Sequence, residues 1–280
     1  MVALALSACL DAPPGATVEP GEDGGALACT WLDPEVLDSP TSIGGPTVDR
    51  TETMLVGEES DLRLYERDTV GDGFGNVGGI VDSLNTPDVE ASPSLSPDGN
   101  DLYFTRGDRD FLADVWVAHR GSSADPFGPA QMVVGLSDPD ISESGVAVWD
   151  AGGRHEIFYA RRVDGGQADI ARAVCSSRTV CEPSGSYPGI DSDADEVTPT
   201  ISGDGLDLYF VRYGEGIFFA HRLGPDSDFE IADERPVLGT AGDVSYLDPE
   251  VSEDGETMYV VVYEVSSDTY TIRVSHRTCE

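Results

Sequence analysis

Three glutamates recur at a fixed interval in this sequence, and their carboxylates are candidates for a functional site. Glu90, Glu143 and Glu196 lie 53 residues apart, and each stands three residues before the start of an apolar segment. If the fold brings them together, their carboxylates would raise one another's pKa or hold a cation such as calcium. The alternative is that a sequence repeat alone placed them there and that water solvates each one.

A second acidic set lies just before the last of these glutamates. Asp191, Asp193 and Asp195 alternate with small residues, as at the start of a calcium loop. The EF-hand form of that loop needs Gly at the sixth place and Glu at the twelfth, where this chain has Glu196 and Ser202. The EF-hand motif therefore fails. A simpler calcium site on the three aspartates stays open beside the alternative of a solvated acidic loop, and no other cofactor is expected.

Other catalytic patterns are weak or absent. The sequence has no Gly-x-Ser-x-Gly segment, which a serine hydrolase of the α/β type would need. A glycine-rich run at 71–75 suggests a phosphate loop, but no helical pattern follows it. His119, His221 and His276 each stand directly before an arginine. A repeated position spreads residues around a fold, so these histidines are not expected to form one site.

The elements that must position these residues are short strands in a repeat of about 50 residues. Apolar anchors of the first strand recur at Val48, Leu95, Val148, Ile201 and Val251. In the second repeat a Ser-Pro-Asp-Gly turn at 96–99 follows the anchor, and apolar strands at 101–106 and 114–119 come next. An aromatic residue then introduces a fourth strand, as Phe74, Phe127 and Phe229 do. Four strands in each repeat are typical of a β-propeller blade.

Two motifs of the second repeat carry a family resemblance. Ser-Pro-Asp-Gly with Leu-Tyr-Phe at 96–104, and Asp114-Val115-Trp116 in the third strand, resemble the WD-like propeller repeats of the TolB type. The resemblance covers residues 29–280. Repeats four and five depart from it, with Gly216 and Thr271 in place of the aspartate. It implies protein-binding work at a bacterial cell envelope.

The fifth repeat lacks a fourth strand, and the N-terminal segment supplies a substitute. Residues 31–37 resemble residues 127–133, which lead into the fourth strand of repeat two. We therefore predict an all-β fold over residues 29–280, a single five-bladed β-propeller of four-stranded blades closed by the N-terminal strand. An open or six-bladed ring is the alternative, but a further blade needs about 50 residues, which residues 10–28 do not supply.

Four cysteines in the repeat region suggest two disulfides, for which three pairings are possible. In a propeller, Cys175 and Cys181 flank the loop between the third and fourth strands of blade three. Cys29 and Cys279 flank the same loop position in the last blade. We therefore predict the bridges Cys175–Cys181 and Cys29–Cys279. Zinc is disfavoured because no Cys-x-x-Cys spacing occurs.

The N-terminus resembles a bacterial lipobox. Leu6-Ser7-Ala8-Cys9 ends a short apolar run, which predicts a signal peptide at 1–9 and a lipid on Cys9. Residues 10–28 are rich in Pro, Gly and acidic residues and read as a flexible tether. The run has no Lys or Arg before it, which an earlier start site would explain. The alternative is a chance match.

The net charge of the chain limits the classes of partner that it can bind. The chain has 53 acidic and 16 basic side chains, a net charge of −37, so nucleic acid and anionic lipid are poor partners and solubility is the simplest role of the acidity. We predict a monomeric, non-catalytic envelope protein that is held at the membrane only by its lipid. It would lie at the periplasmic or outer-membrane face and bind a partner protein, peptide or glycan through its channel face. The alternatives are a glycan hydrolase or lyase with channel-mouth carboxylates, and a structural surface lipoprotein.

Overall fold

The computed structural model describes residues 29–37, 44–58, 61–76, 81–107, 113–138, 140–163, 166–231 and 233–279. The predicted lipobox at Cys9 and the tether at 10–28 lie outside these ranges. Within them the strands are antiparallel and form five small sheets. The helical segment found there is a single 3₁₀ turn, Asp82–Leu84. No helix of the described ranges is long and apolar enough to cross a membrane.

The strands follow the chain blade by blade. Two N-terminal strands come first: β1 (Cys29–Trp31) and β2 (Glu35–Val36). Blade one contains β3 (Gly44–Val48), β4 (Met54–Glu58), β5 (Leu62–Glu66) and β6 (Gly75–Asn76). Blade two contains β7 (Val89–Leu95), β8 (Asp101–Gly107), β9 (Ala113–His119) and β10 (Gln131–Met132). Blade three contains β11 (Ile141–Ala151), β12 (Arg154–Val163), β13 (Ala168–Ser177) and β14 (Val180–Ser186).

The last two blades differ from this plan at their outer edges. Blade four contains β15 (Glu196–Ile201), β16 (Asp207–Arg212) and β17 (Gly216–His221), and both β18 (Glu230–Ile231) and β19 (Leu238–Gly239) pair with β17. Blade five contains β20 (Val244–Val251), β21 (Thr257–Glu264) and β22 (Thr269–Cys279). Its outer strand is supplied by β1 and β2.

The first strands of the blades form the inner wall of a closed ring. Each contacts the first strand of the next blade, in the order β3, β7, β11, β15, β20 and back to β3. Five hydrophobic clusters fill the spaces between neighbouring blades, one at each interface. The predicted five-bladed propeller with four strands per blade is confirmed. Its core is divided into five layers between sheets.

Ring closure depends on the N-terminal segment, as predicted. Trp31 pairs with Arg277 across β1 and β22, and Glu35 pairs with Val274 across β2 and β22. The Trp31 side chain is buried and meets the Tyr209 ring edge-on, with ring centroids 5.8 Å apart. The segment therefore covers the edge of β22 and adds an aromatic side chain to the core between blades four and five.

Both predicted disulfides are formed. Cys29 and Cys279 have Cα atoms 4.0 Å apart and join β1 to β22. Cys175 and Cys181 have Cα atoms 3.9 Å apart and join β13 to β14. Disulfides are typical of proteins that fold in an oxidising compartment outside the cytoplasm.

In each of three blades, a buried arginine at the end of the third strand binds the turn between strands one and two. The sequence pattern did not predict this role. Its Nε donates to a carbonyl in the turn between strands one and two, at 2.6 to 2.8 Å, and its guanidinium lies over the blade's aromatic residue at 4.3 to 4.7 Å from the ring centroid. The three pairs are Arg67 with Phe74, Arg120 with Phe127, and Arg222 with Phe229. Blade three has Cys175 at this place, where the disulfide ties the third strand to the fourth instead.

Candidate functional site

The inner strand of every blade is interrupted by a β-bulge at one repeat position. The ladder between the first and second strands changes register there, and the bulged residue has a φ between +44° and +55°. The five bulged residues are Gly45, Ser92, Gly145, Thr198 and Asp248. Left-handed backbone is strained for a β-branched residue such as Thr198, so the packed ring must hold the bulge in place.

The residues that follow the bulges narrow the central channel. They are buried and come from all five blades: Pro46, Pro93, Val146, Pro199 and Pro249. Together with the bulges they surround a cavity of about 30 Å³. A second cavity, lined by the inner strands and the turns that follow them, measures about 50 Å³. Ligand pockets usually hold about 300 to 1,000 Å³, so neither of these two cavities, as the described residues bound it, has room for a sugar ring.

A belt of hydrogen bonds joins the inner strands below these prolines. Thr47 Oγ1 accepts from Leu95 N at 3.0 Å, and Thr200 Oγ1 accepts from Val251 N at 3.1 Å. Ser94 Oγ accepts from Val148 N at 3.1 Å, and a Glu250 carboxylate oxygen accepts from Val48 N at 3.3 Å. Four of the five blade interfaces are thus linked in the same way. The fifth has Ala147 at the equivalent position, which offers no side-chain acceptor.

Three carboxylates line the channel, and sequence reasoning missed all of them. Glu250 accepts from the hydroxyls of Thr47 at 2.9 Å and Thr200 at 3.0 Å. Asp248 accepts from Gly45 N at 3.3 Å, and Glu58 accepts from Ser92 N. Burial raises the pKa of Glu250 and of Glu58 to about 7, with Asp248 adding to the shift on Glu58, and burial also raises the pKa of Asp248. The carboxylates therefore serve mainly as acceptors between blades.

A signal for Glu250 was present in the sequence. It stands one residue before the anchor Val251, as Thr47, Ser94 and Thr200 stand before theirs, so it belongs to a recurring polar position. Glu58 and Asp248 have no such signal. They meet because the ring brings blade one beside blade five, across 190 residues of chain.

The structure does not gather the three predicted glutamates into one site. Glu90 is fully buried and receives Arg106 Nε at 2.7 Å and Thr86 Oγ1 at 2.6 Å. Glu196 is fully buried and receives Arg212 Nε at 2.9 Å. These two carboxylates are thus bound within their own blades. Among the described residues, no group of three or more His, Cys, Asp and Glu side chains could hold a metal ion.

Glu143 has a different environment from its two counterparts. It is only 3% exposed, and its Oε2 has no hydrogen-bond partner among the described residues. Arg161 lies opposite it in the β11–β12 ladder, but no ion pair joins the two. Glu143 lines a cavity of about 370 Å³ between blades two and three. Burial, with Asp114 nearby, raises the pKa of Glu143 to about 7.

The predicted calcium loop has its carboxylates directed to different partners. Asp195 binds Arg162 at 2.8 Å and accepts from Ala168 N at 2.9 Å. Asp193 is exposed, and its backbone carbonyl accepts from Gln167 Nε2. Burial raises the pKa of Asp191 to about 6, with contributions from Asp169 and Glu196. The three aspartates thus do not converge on a common centre.

Two of the three recurring histidines, His119 and His221, have local partners. His119 Nδ1 lies 2.6 Å from Asp101 Oδ1, and His221 Nδ1 lies 2.8 Å from Asp207 Oδ1. Both contacts join the end of a third strand to the start of the neighbouring second strand. The isolated His155 contacts the Tyr103 hydroxyl at 2.9 Å. These histidines are separate structural groups and not one site.

Comparison with known proteins supports the fold and leaves the activity open. No protein-family model matches the sequence, and no curated protein matches it significantly. Solved structures match over most of the chain. A thermostable family-43 glycoside hydrolase is 18% identical, with a TM-score of 0.62 over 87% of this chain and 91% of its own. A family GH43_1 enzyme from Xanthomonas citri is 15% identical, with a TM-score of 0.60 over 86% and 90%.

TolB is also among the structural neighbours. A TolB from Agrobacterium tumefaciens is 16% identical, with a TM-score of 0.52 over 86% of this chain and 80% of its own. The TolB resemblance therefore holds at the level of the propeller fold. Family-43 glycoside hydrolases share that fold, and at such low identity the fold alone is shown.

Proposed function

We propose that this protein is a non-catalytic, lipid-anchored β-propeller of the cell envelope that binds a partner through its channel face. The channel face is defined as the end of the ring at which the inner strands begin. The observation that carries the proposal is the closed channel. Among the described residues, the bulges and prolines leave a cavity of about 30 Å³, and the far ends of the inner strands leave one of about 50 Å³. The channel carboxylates are hydrogen-bonded between blades. Binding on the face needs no such opening.

The charge of the channel face favours a basic partner. Exposed acidic residues precede the inner strands of blades two to five, namely Asp88, Asp138, Asp140, Asp191, Asp193 and Asp243. Two arginines near the same strand ends, Arg106 and Arg212, are already bound to glutamates. Because charge of one sign attracts and orients the opposite sign, a partner protein or peptide with a basic surface fits best, with a glycan as the less favoured ligand.

A binding screen tests the proposal. The purified chain is offered a glycan array and matched sets of basic, neutral and acidic peptides. We expect binding to basic peptides that weakens as salt screens the charges. Equal binding of all peptide sets, or no binding to any ligand, would contradict the proposal.

Glycan hydrolysis is a second candidate, because two carboxylates with raised pKa lie together in the channel. It would require the cavity of about 30 Å³ around them to open for a sugar ring. Asp248 raises the pKa of Glu58, and both carboxylates lie beside Gly45. A protonated carboxyl beside an ionised one is what an inverting or retaining glycosidase uses. Turnover of aryl glycosides by the wild-type chain, lost in Glu58→Gln, would favour this candidate. Turnover that survives in Glu58→Gln would point to a contaminant.

A further inference from the structure

The repeat offers an internal comparison around Glu143. In blades two and four, the equivalent glutamate binds an arginine, and that arginine stacks on an aromatic ring of the third strand. Arg106 lies 4.5 Å from the Trp116 ring centroid. Arg212 lies 4.3 Å from that of Phe218. Glutamate, arginine and ring thus form a filled unit at the channel face.

Blade three keeps the glutamate and the arginine but lacks the ring. In the ladders, Phe104 faces Trp116 and Phe210 faces Phe218, whereas Tyr159 faces Ala171. Ala171 therefore stands where blades two and four have an aromatic side chain. Without that ring Arg161 has no stacking surface, and Arg161 and Glu143 both line the cavity instead of binding each other.

The segment before the strand gives Glu143 a backbone hydrogen bond at Asp138 but no hydroxyl donor. Thr86 and Ser192 stand four residues before Glu90 and Glu196 and donate to them through a hydroxyl and a backbone N–H. The residue four places before Glu143 is Pro139, which has neither donor. Blade three has thus lost the hydroxyl donor, the ion pair and the ring together. A buried carboxylate oxygen without a hydrogen-bond partner, such as Glu143 Oε2, is costly, so a binding role accounts for its presence better than a role in stability.

The cavity has the size and charge of a small-ligand site. Its volume of about 370 Å³ lies within the usual range for ligand pockets. Its ionisable lining groups are Glu143, Asp138, Asp169, Arg161 and Tyr159, and three of these are carboxyl groups against one guanidinium. The apolar lining includes the buried Ala171 and the exposed Pro183. A ligand that fits would present a cation to Glu143 and a flat apolar body to the space of the missing ring.

We propose that the cavity between blades two and three binds an organic cation, an ammonium or guanidinium group, through the Glu143 carboxylate. The cation could belong to a free small amine or to a lysine or arginine side chain of the partner. A basic side chain of a partner would extend the proposed function and rests on it. Binding of an organic cation in the cavity does not depend on the proposed function.

Benzamidine is the probe for the cavity, and benzamide is its neutral counterpart of the same shape. We expect benzamidine to bind the full chain with a dissociation constant of about 1 mM or lower, as measured by calorimetry. Glu143→Gln should weaken this binding roughly 10-fold or more, the effect of one charge-assisted hydrogen bond. Binding should strengthen from pH 6 to pH 8, because Glu143 loses its proton over this range. The titratable and charged groups around Glu143 are Asp114, Asp138, Asp169, Arg161 and Tyr159.

Two further variants control the result. Glu90→Gln changes the equivalent residue of blade two and should leave benzamidine binding unchanged. Ala171→Phe restores the ring at the repeat position and should abolish binding because it fills the cavity. Equal binding of benzamide and benzamidine, undiminished binding by Glu143→Gln, or no binding by the folded wild-type chain would each overturn the proposal.

The source of the cation is decided by a separate measurement. Argininamide and an arginine-containing peptide are each titrated into wild type and Glu143→Gln. If the peptide binds more tightly than argininamide, the cation belongs to a partner. If the two bind equally, the cation belongs to a free amine. If benzamidine binds but no basic peptide does, the cavity stands and the proposed function fails. If basic peptides bind Glu143→Gln as well as wild type, the function stands and the role of the cavity fails.

Discussion

At the scale of the residue, surroundings decide what three equivalent glutamates do. Glu90 and Glu196 each bind an arginine, whereas Glu143 is buried without one. Burial raises the pKa of Glu143 to about 7, well above its value in an unfolded chain. Since the unfolded chain ionises first as the pH rises, this residue destabilises the folded state progressively between about pH 4.5 and pH 7.

The first prediction is that Glu143→Gln stabilises the protein at alkaline pH. A neutral amide avoids the cost of ionising a buried carboxyl, so the free energy of unfolding should rise by up to about 3 kcal/mol at pH 8. At pH 4.5 the two proteins should be nearly equal. Urea unfolding at both pH values measures the difference.

Glu90→Gln is the matched control for this prediction. It breaks a buried ion pair with Arg106 and should destabilise the protein by roughly 3 kcal/mol. A gain in stability from both substitutions, or a loss from both, would contradict the assignment of different environments to the two glutamates.

At the scale of the element, the inner strands depend on side chains that bond across blade interfaces. The Thr200 hydroxyl accepts from Val251 N and donates to Glu250. A single hydroxyl thus satisfies a backbone donor and a carboxylate at once. Buried groups of this kind are expensive to leave unsatisfied.

The second prediction concerns that hydroxyl. Thr200→Val keeps the shape of the side chain but removes both hydrogen bonds, so the free energy of unfolding should fall by about 2 kcal/mol. Denaturant unfolding measures the loss. Thr269→Val, at an exposed position, should change stability by no more than about 0.5 kcal/mol. Equal effects of the two substitutions would show that the belt contributes nothing specific.

At the scale of the whole molecule, the ring is closed by residues from both ends of the chain. β1 and β2 pair with β22, and Cys29 and Cys279 are joined across 250 residues. Bringing distant segments together has a high entropy cost, and a bridge lowers that cost by constraining the unfolded chain.

The third prediction compares the two disulfides. In the loop-entropy picture, removing the Cys29–Cys279 bridge with paired Ala substitutions should cost about 5 kcal/mol, an upper value. Removing Cys175–Cys181, which closes a separation of 6 residues, should cost about 2 kcal/mol. Thermal unfolding of the two double variants ranks them. If the shorter loop mattered more, closure by the N-terminal strand would not be the main role of the first bridge.

The fourth prediction concerns attachment to the membrane. If Cys9 carries a lipid, Cys9→Ser should leave the protein unlipidated and released into the soluble fraction. Labelling with a fatty-acid analogue, followed by fractionation, measures both effects. Cys29→Ser serves as the control for labelling, since Cys29 is held in the disulfide with Cys279 and its replacement should not alter labelling. Equal labelling of wild type and Cys9→Ser would exclude the lipobox.

The repeat, the number of blades, ring closure and the disulfide pairing could all be read from the sequence. They follow from order along the chain, because a repeat of fixed length places equivalent residues at equivalent positions. The recurring polar place before the inner-strand anchors was also visible, although its role as a belt between blades was not recognised.

Only the tertiary structure decided the environment of each carboxylate and which carboxylates lie close together. Glu143 differs from Glu90 because Ala171, two strands away in the same sheet, replaces a ring that packs against the arginine. Glu58 and Asp248 meet because blade one closes against blade five. Burial and electrostatic coupling depend on distances in space, and residues far apart along the chain set those distances.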